Sequence, residues 1–302
     1  MPLTVLVTGA TGFVGGHLVG PLVENGHDVR AMTRNPDAYD GPGTAVHGDV
    51  EDPASLERAM EGVDVAYYFV HALDSTDFAQ KDATAARNFG KAAAAQGVRQ
   101  IIYLGGLGAD DAPKKLSPHL RSRRECEGHL AEGGVPVTVL RAAIVIGHGG
   151  ISWELTRQLV KNLPLMVAPK WVSTRSQPVA LTDVIRYLIG VLDHDDAMGK
   201  VLEIGGSDVL TYRQMMERAS LVMNGRNARI LQVPLLSPRL SSYWLSLVTD
   251  VDVVTARHLI DSMDNEVVVT DDTIKTIVPG EPLGYDESVR LALRIREEAG
   301  AA

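Results

Sequence analysis

The 302-residue chain has little cysteine, few aromatic residues and no excess of positive charge. Its single cysteine, Cys126, excludes an intrachain disulfide and fits a reducing, cytoplasmic setting. The formal net charge of −9 argues against nucleic acid or an anionic membrane surface as a partner, because both require a basic footprint. We therefore expect neither a nucleic-acid partner nor a membrane partner.

Long apolar runs are also missing from the sequence. No stretch reaches the roughly 20 apolar residues that cross a bilayer. The first seven residues have no basic region ahead of an apolar one, so we expect no signal peptide. Hydrophobic residues make up 45% of the chain and charged residues 22%, as is typical of folded globular proteins. Together these observations predict a soluble, cytoplasmic protein.

One late segment, residues 241–248, contains Tyr243 and Trp244. It resembles an amphipathic segment that lies on a membrane surface. It lacks the Lys- and Arg-rich face that such helices need. We expect it to pack under the C-terminal part of the chain or at a subunit contact, and a homo-oligomer is therefore among the possible assemblies.

Short apolar runs alternate with longer helical patterns through the first half of the chain, which is typical of βαβ units. The expected strands are residues 3–8, 28–33, 44–47, 63–70, 100–104 and one within 135–146. Six strands joined by crossover helices predict an α/β fold with a Rossmann-type, doubly wound parallel sheet. The ligand crevice of such a sheet lies at the carboxyl ends of its strands.

The regular alternation stops at about Gly147. We expect a dinucleotide-binding domain over residues 1–148 and a small, mainly helical C-terminal lobe over 149–302, with 179–205 returning to the first domain. Trp153, Trp171 and several methionines of this lobe could line an apolar cavity for a small-molecule substrate. For any one of these side chains, ordinary core packing is the simpler interpretation.

A glycine-rich turn with the spacing Gly-x-x-Gly-x-x-Gly follows the first strand directly. The first glycine permits a tight turn, the second lets the backbone approach a pyrophosphate, and the third allows close packing of helix and strand. The helix that starts here points its N–H groups at the phosphates. The residues expected to contact a dinucleotide are Gly9, Thr11, Gly12, Phe13, Val14 and Gly15.

The end of the second strand indicates which dinucleotide binds. An NAD site usually has Asp or Glu there for the ribose 2′-hydroxyl, whereas Arg accommodates a 2′-phosphate. Here Thr33 and Arg34 stand at the end of the second strand, and no carboxylate follows until Asp37. We expect Arg34 to bind the 2′-phosphate through its planar fork of donors, so that NADP(H) is favoured over NAD(H). An ordinary solvated loop arginine is the alternative.

Two further strand ends face the same crevice. Asp49 and Val50 follow the third strand and could flank the adenine, although Asp49 could instead cap the helix near Pro53, a role that Asp52 can also fill. Val70 and His71 end the fourth strand. We expect them near the nicotinamide ribose, while a loop histidine hydrogen-bonded to backbone is an equal alternative for His71.

Several stretches resemble the extended and atypical short-chain dehydrogenases/reductases: residues 8–15, 103–106, 139–147 and 179–184. Within that superfamily the chain is most similar to the NmrA-like branch and to the bacterial YbjT-like proteins, through residues 67–71, 119–123, 162–164, 169–172 and 270–272. The resemblance covers nearly the whole chain. It implies a Rossmann-type core, a bound NAD(P)H and a small C-terminal lobe over the nicotinamide end.

The chain departs from that family at its usual catalytic positions. Active members use a Tyr-x-x-x-Lys pair with a Ser or Thr; here the matching positions are His119, Arg123 and Gly106. One interpretation is an oxidoreductase acting on a carbonyl, imine or activated double bond. In it His119 is the general acid or base, and Arg123 binds ribose or phosphate without relaying protons. The alternative is a non-catalytic, redox-sensing regulatory protein that binds NADP(H).

Two weaker features complete the sequence-based expectations. His148, between glycines, could face the nicotinamide end or be an ordinary loop residue. The acidic and histidine-containing run 193–196 resembles a metal cluster, but four consecutive residues cannot converge on one ion. We expect a solvated turn there and no metal site.

Overall fold

A computed structural model describes residues 1–72, 77–108, 116–163, 165–233 and 253–300. The segment 241–248, for which a packing role was predicted above, lies outside these residues. Among the helices of the described part, none is long and apolar enough to cross a membrane.

The elements follow one another in an alternating order. The strands are β1 (Thr4–Val7), β2 (Asp28–Thr33), β3 (Thr44–His47), β4 (Val65–Tyr68), β5 (Gln100–Gly106), β6 (Val137–Ala142), β7 (Val145–Ile146), β8 (Leu165–Ala168), β9 (Arg175–Ser176), β10 (Val179–Ala180), β11 (Val201–Ile204), β12 (Leu210–Thr211) and β13 (Arg229–Gln232). The helices are α1 (Phe13–Glu24), α2 (Pro53–Met60), α3 (Phe78–Ala95), α4 (Pro118–Ala131), α5 (Ile151–Asn162), α6 (Leu181–Gly190), α7 (Tyr212–Asn224), α8 (Val253–Met263), α9 (Ile274–Ile277) and α10 (Tyr285–Glu298).

The central sheet has seven strands in the order β11-β6-β5-β4-β1-β2-β3, and every neighbouring pair is parallel. The chain builds outward from β1 in one direction and then, from β4 onward, in the other. This reversal opens a crevice at the carboxyl ends of β1 and β4. The predicted Rossmann-type, doubly wound α/β fold is confirmed, with β11 as a seventh strand beside β6.

Helices cover both faces of this sheet, and strand β4 shows why. Its four residues are all buried, as a central parallel strand requires. Because side chains alternate along a strand, Val65 and Tyr67 pack with α1 and α6 on one face. Ala66 and Tyr68 pack with α2, α3 and α4 on the other.

The C-terminal part has an apolar core of its own, formed mainly by α5, α7 and α10 around side chains such as Met215 and Tyr285. Trp153 is fully buried in it, and Trp171 packs edge-on to Tyr212 with ring centroids 5.7 Å apart. Core packing therefore accounts for both tryptophans. The predicted domain boundary at residue 148 stays a prediction.

Candidate active site

The glycine turn has the backbone geometry that its sequence predicts. Gly9 has φ +59°, a left-handed conformation that side chains other than glycine rarely adopt. A Cβ at Gly15 would collide with the Gly9 carbonyl oxygen, so this position allows the helix to approach the turn closely. Gly12 is the N-cap of α1, and no side chain caps that helix. The N-terminal amides of α1 therefore face the crevice without a side-chain competitor for a phosphate.

Phe13, at the start of α1, is covered by the loop 147–150. A Cβ at Gly147 would lie 3.1 Å from the Phe13 ring, and one at Gly150 would lie 2.6 Å from it. Small residues in this loop thus make room for the ring. His148, in the same loop, places its Nδ1 3.5 Å from Glu154 Oε1. The loop 147–150 therefore contacts both Phe13, beside the glycine turn, and Glu154, on α5.

Arg34 lies at the end of β2 as an exposed side chain. Among the described residues it has no ion-pair partner. The neighbouring Thr33 hydroxyl accepts a hydrogen bond from the Asn35 amide at 3.2 Å. The guanidinium is therefore available to an anionic ligand at the edge of the crevice.

The segment after β3 contains Asp49 and Asp52, either of which could cap α2 according to the sequence. Asp52 caps α2 by accepting a hydrogen bond from the Ala54 amide at 3.1 Å, so the cap does not require Asp49. Asp49 Oδ1 instead accepts from the Glu51 amide at 2.9 Å. The half-buried Val50 packs against the core beneath the sheet. Contact of Asp49 and Val50 with adenine stays a prediction.

The end of β4 runs beside the glycine turn and carries His71 to the centre of the site. The Phe69 amide donates to the Thr8 hydroxyl at 2.8 Å, which holds the two segments together. His71 then joins two partners: its Nδ1 lies 2.5 Å from Asp82 Oδ2, and its Nε2 lies 3.1 Å from His119 Nδ1. The structure thus brings together two residues that the sequence analysis named separately, His71 and His119.

Asp82, on α3, is a site residue that the sequence analysis missed. It is 2% exposed. Its Oδ1 accepts from the Ala72 amide at 2.9 Å, and its Oδ2 accepts from the Ser122 hydroxyl at 3.1 Å. Burial acts to raise the pKa of Asp82, but these donors and His71 outweigh it and hold the pKa below its ordinary value. The carboxylate is therefore ionised.

Both histidines are held neutral by their surroundings. Burial lowers the pKa of His119 well below 6.5, and the charges of His71, Arg123 and His258 lower it further. Burial also lowers the pKa of His71, with Arg123 acting in the same direction, although the hydrogen bond to Asp82 opposes the shift. At neutral pH the site is therefore an ionised carboxylate next to two neutral imidazoles.

Arg123 turns toward β5. Its Nη2 donates to the Leu104 carbonyl oxygen, and its guanidinium carbon lies 5.4 Å from the centroid of the Tyr103 ring. A Cβ at Gly106 would lie 2.9 Å from Leu120 Cδ2, so the leucine occupies space that a serine side chain would need. The predicted contact of Arg123 with ribose or phosphate stays a prediction.

A small cavity of about 100 Å³ lies at the carboxyl ends of β5 and β6. Its walls are mostly apolar, with polar groups from His119, Ser152, Tyr212 and Ser262. Since His119 Nδ1 is engaged by His71, its Nε2 is the ring nitrogen left for a molecule in this cavity. The site therefore offers a few polar side chains, His119 among them, beside an apolar pocket, as small-molecule sites commonly do.

Comparison with known proteins identifies the class. A family model described as NAD(P)H-binding matches residues 9–163, just over half of the chain. The chain therefore belongs to this NAD(P)H-binding family. The resemblance inferred from the sequence is confirmed, and so is NAD(P)H as the class of cofactor.

One protein of similar sequence and two of similar structure are reductases or oxidoreductases by name. The (4-alkanoyl-5-oxo-2,5-dihydrofuran-3-yl)methyl phosphate reductase of Streptomyces griseus is 29% identical over 236 residues, covering 74% of this chain and 75% of that protein. Citrobacter sp. triphenylmethane reductase, solved with NADP(H), has a TM-score of 0.77 at 20% identity, with 96% and 99% of the chains covered. An NADPH-dependent quinone oxidoreductase from Escherichia coli, solved with NADPH, has a TM-score of 0.76 at 21% identity, with 95% and 98% covered. The two structural matches establish the fold.

Gly15→Ala is expected to weaken NADPH binding at least about tenfold and to lower the free energy of unfolding by about 1–3 kcal/mol, the usual cost of overpacking. The reason is the collision between the new Cβ and the Gly9 carbonyl oxygen. Fluorescence titration with NADPH and urea unfolding measure the two effects.

Gly20→Ala is the matched control on the same helix. A Cβ at Gly20 meets only Pro42 Cγ, at an ordinary 3.7 Å, so this variant should bind NADPH normally. Equal NADPH affinity in Gly15→Ala and Gly20→Ala would show that the close approach at Gly15 is unimportant for the cofactor.

Proposed function

We propose that this protein is an NADP(H)-dependent reductase of a small, largely apolar substrate with a carbonyl, imine or activated double bond. The observation that carries the proposal is the hydrogen-bonded His71–His119 pair, which ends at an apolar cavity in an NAD(P)H-binding chain. The reductase names of its relatives support the same reaction class.

The residues around the crevice fit the cofactor. The uncapped N-terminus of α1 suits a pyrophosphate, and the exposed Arg34 with Thr33 suits a 2′-phosphate. We expect Asp49 and Val50 to flank the adenine, and Val70 and His71 to lie near the nicotinamide end. When bound, the reduced nicotinamide supplies a hydride to the substrate, which is the chemistry that the protein itself cannot provide.

His119 supplies the proton. Addition of a hydride to a carbonyl carbon leaves negative charge on the oxygen, and a donor within hydrogen-bond reach must neutralise it. The Nε2 of His119 is the free ring nitrogen at the cavity, so it gives its proton to that oxygen. The guanidinium of Arg123 is too basic to donate a proton to the substrate. Its interactions with Leu104 and Tyr103 fix the position of α4 against β5.

The proposal is tested by following NADPH absorbance with the purified protein and a panel of ketones, quinones, imines and enones. Turnover with at least one class is expected, and Gly15→Ala should reduce it in proportion to its weaker NADPH binding. Tight NADPH binding without turnover of any class would contradict the proposal and support a non-catalytic, redox-sensing protein.

The rate of reduction is expected to rise as the pH falls. Reduction requires an additional proton on the histidine pair, and the pKa of His119 lies well below 6.5. Above the apparent pKa of the pair, kcat/KM should therefore fall about tenfold for each pH unit. The groups that act on this proton are Asp82 from α3, His71 from the segment after β4, Arg123 from α4 and His258 from α8.

The pH dependence is measured as kcat/KM for the best substrate between about pH 5 and 9, with NADPH decomposition at acid pH subtracted. His119→Ala should remove most of this slope, because the remaining activity no longer depends on the histidine proton. A kcat/KM that increases with pH would contradict the assignment of His119 as the proton donor.

A further inference from the structure

We propose that Asp82, His71 and His119 form a three-membered proton relay in which His71 holds the proton that replaces the one His119 gives to the substrate. This inference rests on the proposed function, with His119 as the donor. In it Asp82 and His71 are positioning residues, since neither lines the cavity. The relay is carried by the two consecutive contacts of His71, 2.5 Å to Asp82 and 3.1 Å to His119.

The direction of the relay follows from the hydrogen bonds around Asp82. Its two oxygens accept from the Ala72 amide and the Ser122 hydroxyl, and the third contact is His71 Nδ1. An ionised carboxylate can only accept, so His71 Nδ1 must carry a hydrogen. The one His71 nitrogen whose protonation can vary is then Nε2, which faces His119.

Two proton states follow from this constraint. In the neutral state His71 Nε2 accepts from His119 Nδ1–H, which leaves His119 Nε2 as a bare acceptor at the cavity. When the pair takes up one proton, His71 becomes an imidazolium against the Asp82 carboxylate. Its Nε2–H then donates to His119 Nδ1, and His119 Nε2 carries the hydrogen that faces the substrate.

Proton transfer converts the second state into the first. The His119 Nε2–H bond breaks as an O–H bond forms on the substrate, and the His71 Nε2–H bond breaks as an N–H bond forms at His119 Nδ1. The triad loses one proton and one positive charge in total, and Asp82 stays ionised throughout. His119 itself is never a cation.

This arrangement explains how a histidine beside Arg123 and His258 can act as an acid. A positive charge on His119 is opposed by burial and by those neighbours. Burial, Arg123 and His258 oppose a positive charge on His71 as well, but there the ionised Asp82 carboxylate acts in the opposite direction. The side chain of His71 is 15% exposed and that of Asp82 is 3% exposed. Of the two side chains, His71 is the more exposed to the solvent from which the pair recovers its proton.

The first test reads the tautomers and needs neither cofactor nor substrate. In protein with ¹⁵N-labelled histidine, long-range ¹H–¹⁵N spectra at neutral pH should show hydrogen on Nδ1 of both His71 and His119. Asp82→Asn is expected to move both hydrogens to Nε2, because the asparagine amide can donate to His71 Nδ1 and His71 Nε2–H then donates to His119. Unchanged tautomers in Asp82→Asn would overturn the relay.

Asp77→Asn is the matched control, since it makes the same change at the exposed start of the same helix and should leave both tautomers unchanged. If Asp82→Asn does not fold, His71→Gln gives a second readout: His119 should lose its fixed Nδ1–H state. A His119 signal that is the same in His71→Gln as in the wild type would equally overturn the relay.

The second test separates the relay from the proposed function. For the wild-type protein, a plot of the reduction rate against the D₂O fraction of the solvent should be curved, because two protons move in the same step. For His71→Gln the plot should be linear. Asp82→Asn should lower kcat on the order of 10- to 100-fold, part of the contribution of general acid catalysis. Turnover that depends on His119 but shows a linear wild-type plot would overturn the relay and leave the reductase function standing.

Discussion

His119→Ala is expected to lower kcat for substrate reduction on the order of 10²- to 10⁴-fold, the range that a positioned general acid contributes. The variant keeps the hydride source and the cavity but removes the imidazole that borders the cavity and contacts His71. The Kd for NADPH should change little, because its phosphates are expected at α1 and at the end of β2. Steady-state kinetics and NADPH titration on the same preparation measure both quantities.

His129→Ala is the control for this variant. It removes a histidine from the same helix, where the side chain contacts Arg87 and Glu132 rather than the cavity. Its kcat should be that of the wild type. If His119→Ala and His129→Ala have equal kcat values, the proton comes from elsewhere and the assignment of His119 is wrong.

Arg34→Glu is expected to raise the Kd for NADPH on the order of 10- to 100-fold, while the Kd for NADH changes much less. A charge-assisted bond to phosphate is lost and a like charge faces the 2′-phosphate instead. The fold should be unaffected, since Arg34 is exposed and has no ion-pair partner among the described residues. Titrating both cofactors into one preparation gives the ratio of the two affinities, which is the decisive quantity.

Arg290→Glu provides the control, because Arg290 is an exposed arginine on α10 and its substitution makes the same change in net charge. It should leave the NADPH-to-NADH affinity ratio unchanged. An equal fall in affinity for the two cofactors in Arg34→Glu would mean that Arg34 acts through its general charge and does not select NADP(H).

The sequence predicts the Rossmann-type half closely for identifiable physical reasons. Strands 28–33 and 44–47 have their predicted ends, because short runs with apolar and β-branched residues there are bounded by glycine or polar residues. Thr211 and Gln214 form a capping box at the start of α7, which is a feature of residues three apart in the sequence. Local patterns thus predict local structure well.

The candidate site depends on contacts that no local pattern contains. Asp82 contacts His71 from a helix, and His71 contacts His119 across 48 positions of sequence. Only the side-by-side packing of β4, α3 and α4 brings these three elements together. One signal was present in the sequence: a carboxylate within α3, on its buried face, is costly unless it is hydrogen-bonded or paired. That observation could have pointed to Asp82.

The close fit between Gly106 and Leu120 bears on how this site could have diverged from its relatives and how it could be re-engineered. Leu120 borders the cavity, and a side chain at position 106 would push its Cδ2 aside. A serine at position 106 would therefore also reshape the wall against which a substrate lies. Ancestral reconstruction or design at this site must change positions 106, 119 and 120 as a unit, because the proton donor and the substrate wall are neighbours on one turn of helix.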